Sequence, residues 1–239
     1  MRHSLFLTLL LLTWAGPLTA QGVDLGLDGG SISTRAVQLF LLLTVLSIVP
    51  GIAIMVTCFP FIVTVLAILR QAIGLQQSPP NMLLVSLALF LTYFVMEPVF
   101  TAAWTAGVSP LIEGSLTLDD AWPLALDPFT GFMQNRVSPE TLVDLAALRP
   151  DMDLTSSEEP PLSVLVPSFL LSEMERAFQV GFLIFLPFLI IDLVVAAVLM
   201  SMGMMMVPPA IVSLPFKLSF FVVADGWSLI AASLVRSYS

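Results

Sequence analysis

The sequence predicts an all-α integral membrane protein: two long, proline-interrupted helical hairpins with a small acidic extracytoplasmic helical subdomain between them. Three observations carry that expectation. Of 239 residues, 58% are hydrophobic and only 10% are charged, against roughly 25% charged in soluble domains. The hydrophobic residues gather into runs as long as a membrane span or longer, a span needing about 20 apolar residues. Charge is gathered too: residues 101–177 hold twelve of the seventeen acids and three of the arginines.

Residues 1–20 read as a cleaved secretory signal, with Arg2 as its positive start, Leu5–Leu12 as the apolar core and Leu18-Thr19-Ala20 before the cut. A polar extracytoplasmic leader follows at 21–36. The first membrane hairpin is expected over 37–100. Its first arm, Val37 to Leu69, is apolar for 33 residues and ends at Arg70, and Pro50-Gly51 and Pro60 are expected to break it. Breaks at membrane depth require protein or water to cover the freed backbone groups. A linker, Gln71–Pro80, leads to the second arm, Met82–Phe100, which carries Glu97 and Pro98 near its end.

The acidic section, 101–177, is punctuated by eight prolines and reads as short helices and loops. The second hairpin, 178–239, repeats the layout of the first. A long apolar arm from Phe178 to Val207 contains Pro187 and Asp192. Pro208-Pro209 breaks it, and a shorter apolar segment runs from Ala210 to Val235.

The chain is organised around the foot of that long arm. Five of the twelve methionines fall between Met200 and Met206. Methionine is unbranched and polarizable and re-packs around differently shaped partners, so a methionine-rich stretch at a helix break can seal and also yield. The competing reading is ordinary core filling.

Four charges lie within apolar segments: Glu97, Asp192, Lys217 and Asp225. Such groups are expensive in hydrocarbon, and contacts between helices and between subunits account for them better than a proton relay does. Counting residues outward from Pro208-Pro209 puts Asp192 and Asp225 at one depth. The same count puts Lys217 level with Met200, to pair outside its own hairpin.

Several classes are excluded. The one cysteine, Cys58, allows no disulfide and no thiolate metal site. The one histidine, His3, lies in the signal, which removes the usual general base. A net charge of −9 without a basic stripe does not suit nucleic acid. No glycine-rich phosphate loop with Lys and Ser/Thr exists. No catalytic, cofactor or metal site is expected, and the chain is not expected to be an enzyme.

Three blocks carry a family likeness: FLIFLPFLIIDLVVAAVLMSMGMMMVPPAIVSLPFKLSFFVVADGW (182–227), LRQAIGLQQSPPNMLLVSLALFLTYFVMEPV (69–99) and VPSFLLSEMERAFQVGF (166–182). Together they resemble the FliP/SctR family of type III export-gate subunits, with VPP and PFK closer to its flagellar branch. The acidic middle and Phe61 after Pro60 depart from the family pattern. The resemblance implies several copies assembled with FliQ and FliR, alongside FlhB and FlhA, as a gate in the inner membrane at the flagellar basal body. The middle region would be periplasmic, membrane lipid would surround the assembly, and unfolded flagellar proteins would pass through its lumen. Met204, Met205 and Met206 match the family's triple methionine and would form a gasket around the pore. The alternative from another class is an ion-coupled secondary membrane transporter, which broken helices and intramembrane acids also suit.

The topology is directly testable. Cysteines introduced at Ser115 and Ser157 should react with a membrane-impermeant thiol reagent in intact spheroplasts. Labelling only after inner-membrane lysis would overturn an extracytoplasmic middle region.

Overall fold

The computed structural model describes residues 32–75, 78–149, 160–204 and 206–238. The expected signal, most of the leader and Met205 lie outside these. Every regular element among the described residues is helical. The chain divides into one unit ending at Ile48 and a second from Val49 onward. The first unit ends within α1 (Ile32–Met55), whose side chains from Ala36 to Met55 are all exposed. A stretch of twenty mostly apolar residues with none buried suits a lipid-facing span.

Pro50 and Gly51, expected to break the first arm, lie inside α1 instead. A proline costs one backbone bond and its ring crowds the preceding turn. The rest of the ladder carries the helix across it. The break falls after Met55, where Val56 to Cys58 lead into α2 (Phe59–Ile73). Pro60 sits in the first turn of α2, where a missing N–H is one of the donors a helix start leaves unpaired anyway. It therefore starts a helix. The 33-residue run thus becomes a span-length helix and a second helix about 22 Å long, too short to cross a bilayer.

The α2 helix is the centre of the second unit. Phe61, Ile62, Val65, Leu66, Leu69, Ala72 and Ile73 are all buried, at the three- and four-residue spacing of a core-facing stripe. Around it pack α3 (Asn81–Ala103) through Leu84, Ala88 and Met96, and α7 (Leu162–Ser201) through Ala177 and Phe188. A π-helical turn, Trp104–Val108, and α4 (Ser109–Ile112) extend α3, giving 32 helical residues where the sequence suggested an end near Phe100. The acidic section forms α5 (Leu118–Arg136) and α6 (Pro139–Ala147). Thr117 caps α5 by accepting from the Asp120 amide, and Asp119 and Asp120 sit where the helix dipole favours acids.

No boundary falls at 177/178, because α7 is one helix of 40 residues, about 60 Å long, running through Pro167 and Pro187. The final segment is not one arm either. It divides into α8 (Pro209–Val223) and α9 (Gly226–Arg236), bent by 61°. Asp225 makes the bend with φ 47° and ψ 49°, a left-handed conformation that Asp tolerates better than most residues. A Cβ on Gly226 would come within 2.2 Å of the Phe221 ring, which also meets Trp227 edge-on at 5.4 Å. The Asp-Gly-Trp string is therefore the bend itself: a turn residue, a close approach and an edge-on ring.

Gly226→Ala should destabilise the protein by about 1–3 kcal/mol through overpacking, read as a lower thermal midpoint of the purified protein. Phe221→Leu, by removing the ring, should recover part of that loss when combined with it.

Candidate functional site

The α7 helix ends in a Schellman motif. Gly203 adopts φ 75°, the Met204 amide donates to the Leu199 carbonyl at 3.0 Å, and the Gly203 amide donates to Met200 at 3.0 Å. This paired pattern satisfies carbonyls that a helix end leaves open, and glycine takes the left-handed position without a Cβ penalty. The chain then turns through Val207 to Pro208, which precedes α8, and Pro209, its first residue. Methionines crowd this turn and stand outward: Met206 is 98% exposed, and Met200, Met202 and Met204 are exposed as well. None of these four fills the core of its own chain.

Behind the turn, α7 and α8 are joined by charge. The Lys217 ammonium donates to Asp192 Oδ2 at 2.7 Å and to the Ala72 carbonyl of α2 at 3.1 Å. The Ser213 hydroxyl donates to Asp192 Oδ1 at 2.5 Å. Lys217 thus pairs within its own hairpin, contrary to the residue count. The seven residues from Met202 to Pro208 belong to the turn and add no depth. Measured along the helices, Asp192 lies nine residues before Ser201 and Lys217 eight after Pro209, so the two are level.

Asp225, expected beside Asp192, is exposed at the bend, and Glu97 is exposed on α3 without a hydrogen-bond partner among the described residues. The structure therefore brings Asp192 and Lys217 together and leaves the other two apart from them. Among the described residues no group of His, Cys, Asp and Glu could hold a metal ion.

A second polar node escaped the sequence reading. Glu173 on α7 is fully buried. It accepts from Arg136 Nε of α5 at 3.1 Å, from Arg176 at 3.4 Å, and from the Tyr238 hydroxyl. Arg136 also lies over the Tyr238 ring at 4.1 Å and donates to the Ser237 carbonyl at 2.7 Å. Burial, reinforced by the Glu173 charge, pushes the Tyr238 phenol up, so it stays protonated and donates. Glu173 stands in the charged run Ser-Glu-Met-Glu-Arg, and while Arg176 is three residues on, its other two partners lie 37 and 65 residues away. One signal pointed inward. Phe169 and Ala177, four residues to either side, share its helix face.

The fold and these sites define a class: an all-α membrane protein with a methionine turn held in place by ion-paired helices. The family model described as "FliP family" matches residues 42–234. The flagellar biosynthetic protein FliP of Caulobacter vibrioides is 51% identical over 220 residues, 92% of this chain and 82% of that protein. Those of Agrobacterium fabrum and Bacillus subtilis are each 48% identical, over 88% and 86% of this chain and 86% and 93% of theirs. The chain belongs to the FliP family of flagellar biosynthetic proteins.

Asp192→Asn should keep more of the complex than Asp192→Leu, because an amide oxygen still accepts from Lys217 although the counter-charge is lost. Asp192→Leu should lower complex yield, leaving a buried ammonium with one carbonyl at a cost of about 3 kcal/mol, and Lys217→Met should restore it. A fully assembled but export-dead Asp192→Asn variant would instead assign proton handling to this pair.

Proposed function

We propose that this chain is a pore-forming subunit of the flagellar protein-export gate, with its methionine turn as the seal. The exposed methionines at Met204 and Met206 carry the reading. Long, soft, apolar side chains standing outside their own fold serve a surface made by several copies, and thioethers can close on one another and conform to a passing chain. Met205, between them, completes the triple. In this reading several copies assemble with FliQ and FliR and contact FlhB and FlhA in the inner membrane. Unfolded flagellar proteins are the cargo, and residues 101–177 face the periplasm. The energy comes from elsewhere, since the chain supplies no nucleotide-binding loop. The transporter alternative loses support where Asp192 is neutralised by Lys217, which leaves no free carboxylate at that level of the hairpin among the described residues.

Replacing Met204, Met205 and Met206 together by alanine tests the seal. The variant complex should assemble normally and leak ions and small solutes across the inner membrane. Leucine at all three should seal but export slowly, because a branched side chain conforms less readily. Wild-type membrane conductance in an assembled triple-alanine complex would overturn the assignment. A packing role would instead cost about 2–5 kcal/mol per site and dissolve the complex without a leak.

A further inference from the structure

We infer that α8, with Met206 to Pro208 ahead of it, forms an arm that pivots at the Asp225 bend, closed by the Asp192–Lys217–Ser213 contacts and anchored beyond the bend by α9. Four observations meet here. The arm's attachment is partly polar: among the described residues of α8 the buried ones are Ser213, Lys217 and Phe221, four apart, and Phe220 and Phe221 meet the Phe188 ring of α7 at 5.9 and 6.4 Å near the bend. Its outer face is bare, with Val223 89%, Val222 73% and Ile211 69% exposed.

The pivot is short. Two residues, Ala224 and Asp225, separate α8 from α9, and the left-handed Asp225 marks where the ladder is interrupted. Hinges are a few element-terminal residues that absorb large dihedral changes. A second cleft, about 270 Å³, opens beside this bend between Ile73, Leu218 and Trp227.

Beyond the pivot the chain is fixed. Ile230 and Leu234 are buried in the main core, and Ser237 and Tyr238 are held by Arg136 and Glu173. Any rotation at Asp225 is therefore carried by α8 and not by α9. There is also room for it. An apolar surface cleft of about 450 Å³ lies along the methionine half of α8 and α7, lined by Val194, Val198, Val212 and Phe216 among others.

The contacts of Lys217 set which way the arm rests. Its ammonium ties α8 to α7 and also to the C-terminal turn of α2, whose carbonyls carry partial negative charge. Loosening the Lys217 and Ser213 contacts to Asp192 removes the polar side-chain ties of α8 to α7 among the described residues and leaves the rings of Phe220 and Phe221 against Phe188 near the bend. The arm's role in gating rests on the proposed function; the pivot itself does not.

Paired spin labels read the pivot directly in the purified export complex, diluted with unlabelled copies and with Cys58→Ala as background. One pair, at Ile190 and Ile211, spans α7 and the arm. The other, at Leu183 and Leu229, spans α7 and α9. In Ser213→Ala and Lys217→Gln the first pair should move to longer, broader distances by more than about 2 Å, the scale of ordinary helix shifts. The second pair should stay unchanged. Unchanged distances in both pairs, or equal changes in both, overturn the pivot. Should Lys217→Gln fail to assemble, Asp192→Asn combined with Ser213→Ala decides, since it removes the charge attraction and the hydroxyl contact while keeping an amide acceptor for Lys217. A pivot that moves while the triple-alanine complex stays sealed would separate a true hinge from a wrong gate assignment.

Discussion

A lysine ammonium among membrane helices has to be neutralised, and the contact of Lys217 with Asp192 is the one on which the methionine end of this protein depends. It joins α7, α8 and the end of α2 at a single point. Buried ion pairs are often no more stabilising than well-packed apolar residues would be, yet removing one partner is costly. Such a pair acts as a register device. A slip of one residue in α8 would rotate Lys217 by about 100° and strand its charge. The turn between α7 and α8 is thereby presented at one height, with Met204 and Met206 outward.

The same long helix carries the second node. Glu173 lies 19 residues before Asp192 on α7, about 28 Å away along the axis. It gathers α5 and the C-terminal residues as Asp192 gathers α8 and α2. Around Tyr238 the node is also aromatic. Phe61 of α2 meets its ring edge-on at 5.6 Å, and Phe132 of α5 stacks on it at 6.0 Å. The α7 helix therefore works as a mast with two fixed stations, and the bend at Asp225 falls on the stretch of chain that runs between them.

Prolines follow position more than identity. Pro50, Pro98, Pro167 and Pro187 are absorbed inside helices, whereas Pro60 and Pro209 open them. A proline within a helix forfeits one bond; at a start it forfeits none, because the donor had no partner. True breaks come where a turn has its own chemistry, as with the left-handed Gly203 and Asp225.

The sequence by itself determined the class, the methionine turn and the family. Composition, run length and the GMMMVPP…DGW string are local properties that need no knowledge of neighbours. It also singled out Asp192 and Lys217, since a charge inside an apolar run is conspicuous. Only tertiary structure decided that they pair, because residue counting cannot tell how much chain a turn consumes. It alone buried α2, which reads as half of a span, and it alone made Glu173 a buried hub. Burial and pairing are set by what another segment brings, and Tyr238 reaches Glu173 from 65 residues away. A chain of hydrophobic residues announces that it will be covered; which part by protein and which part by lipid is settled by packing.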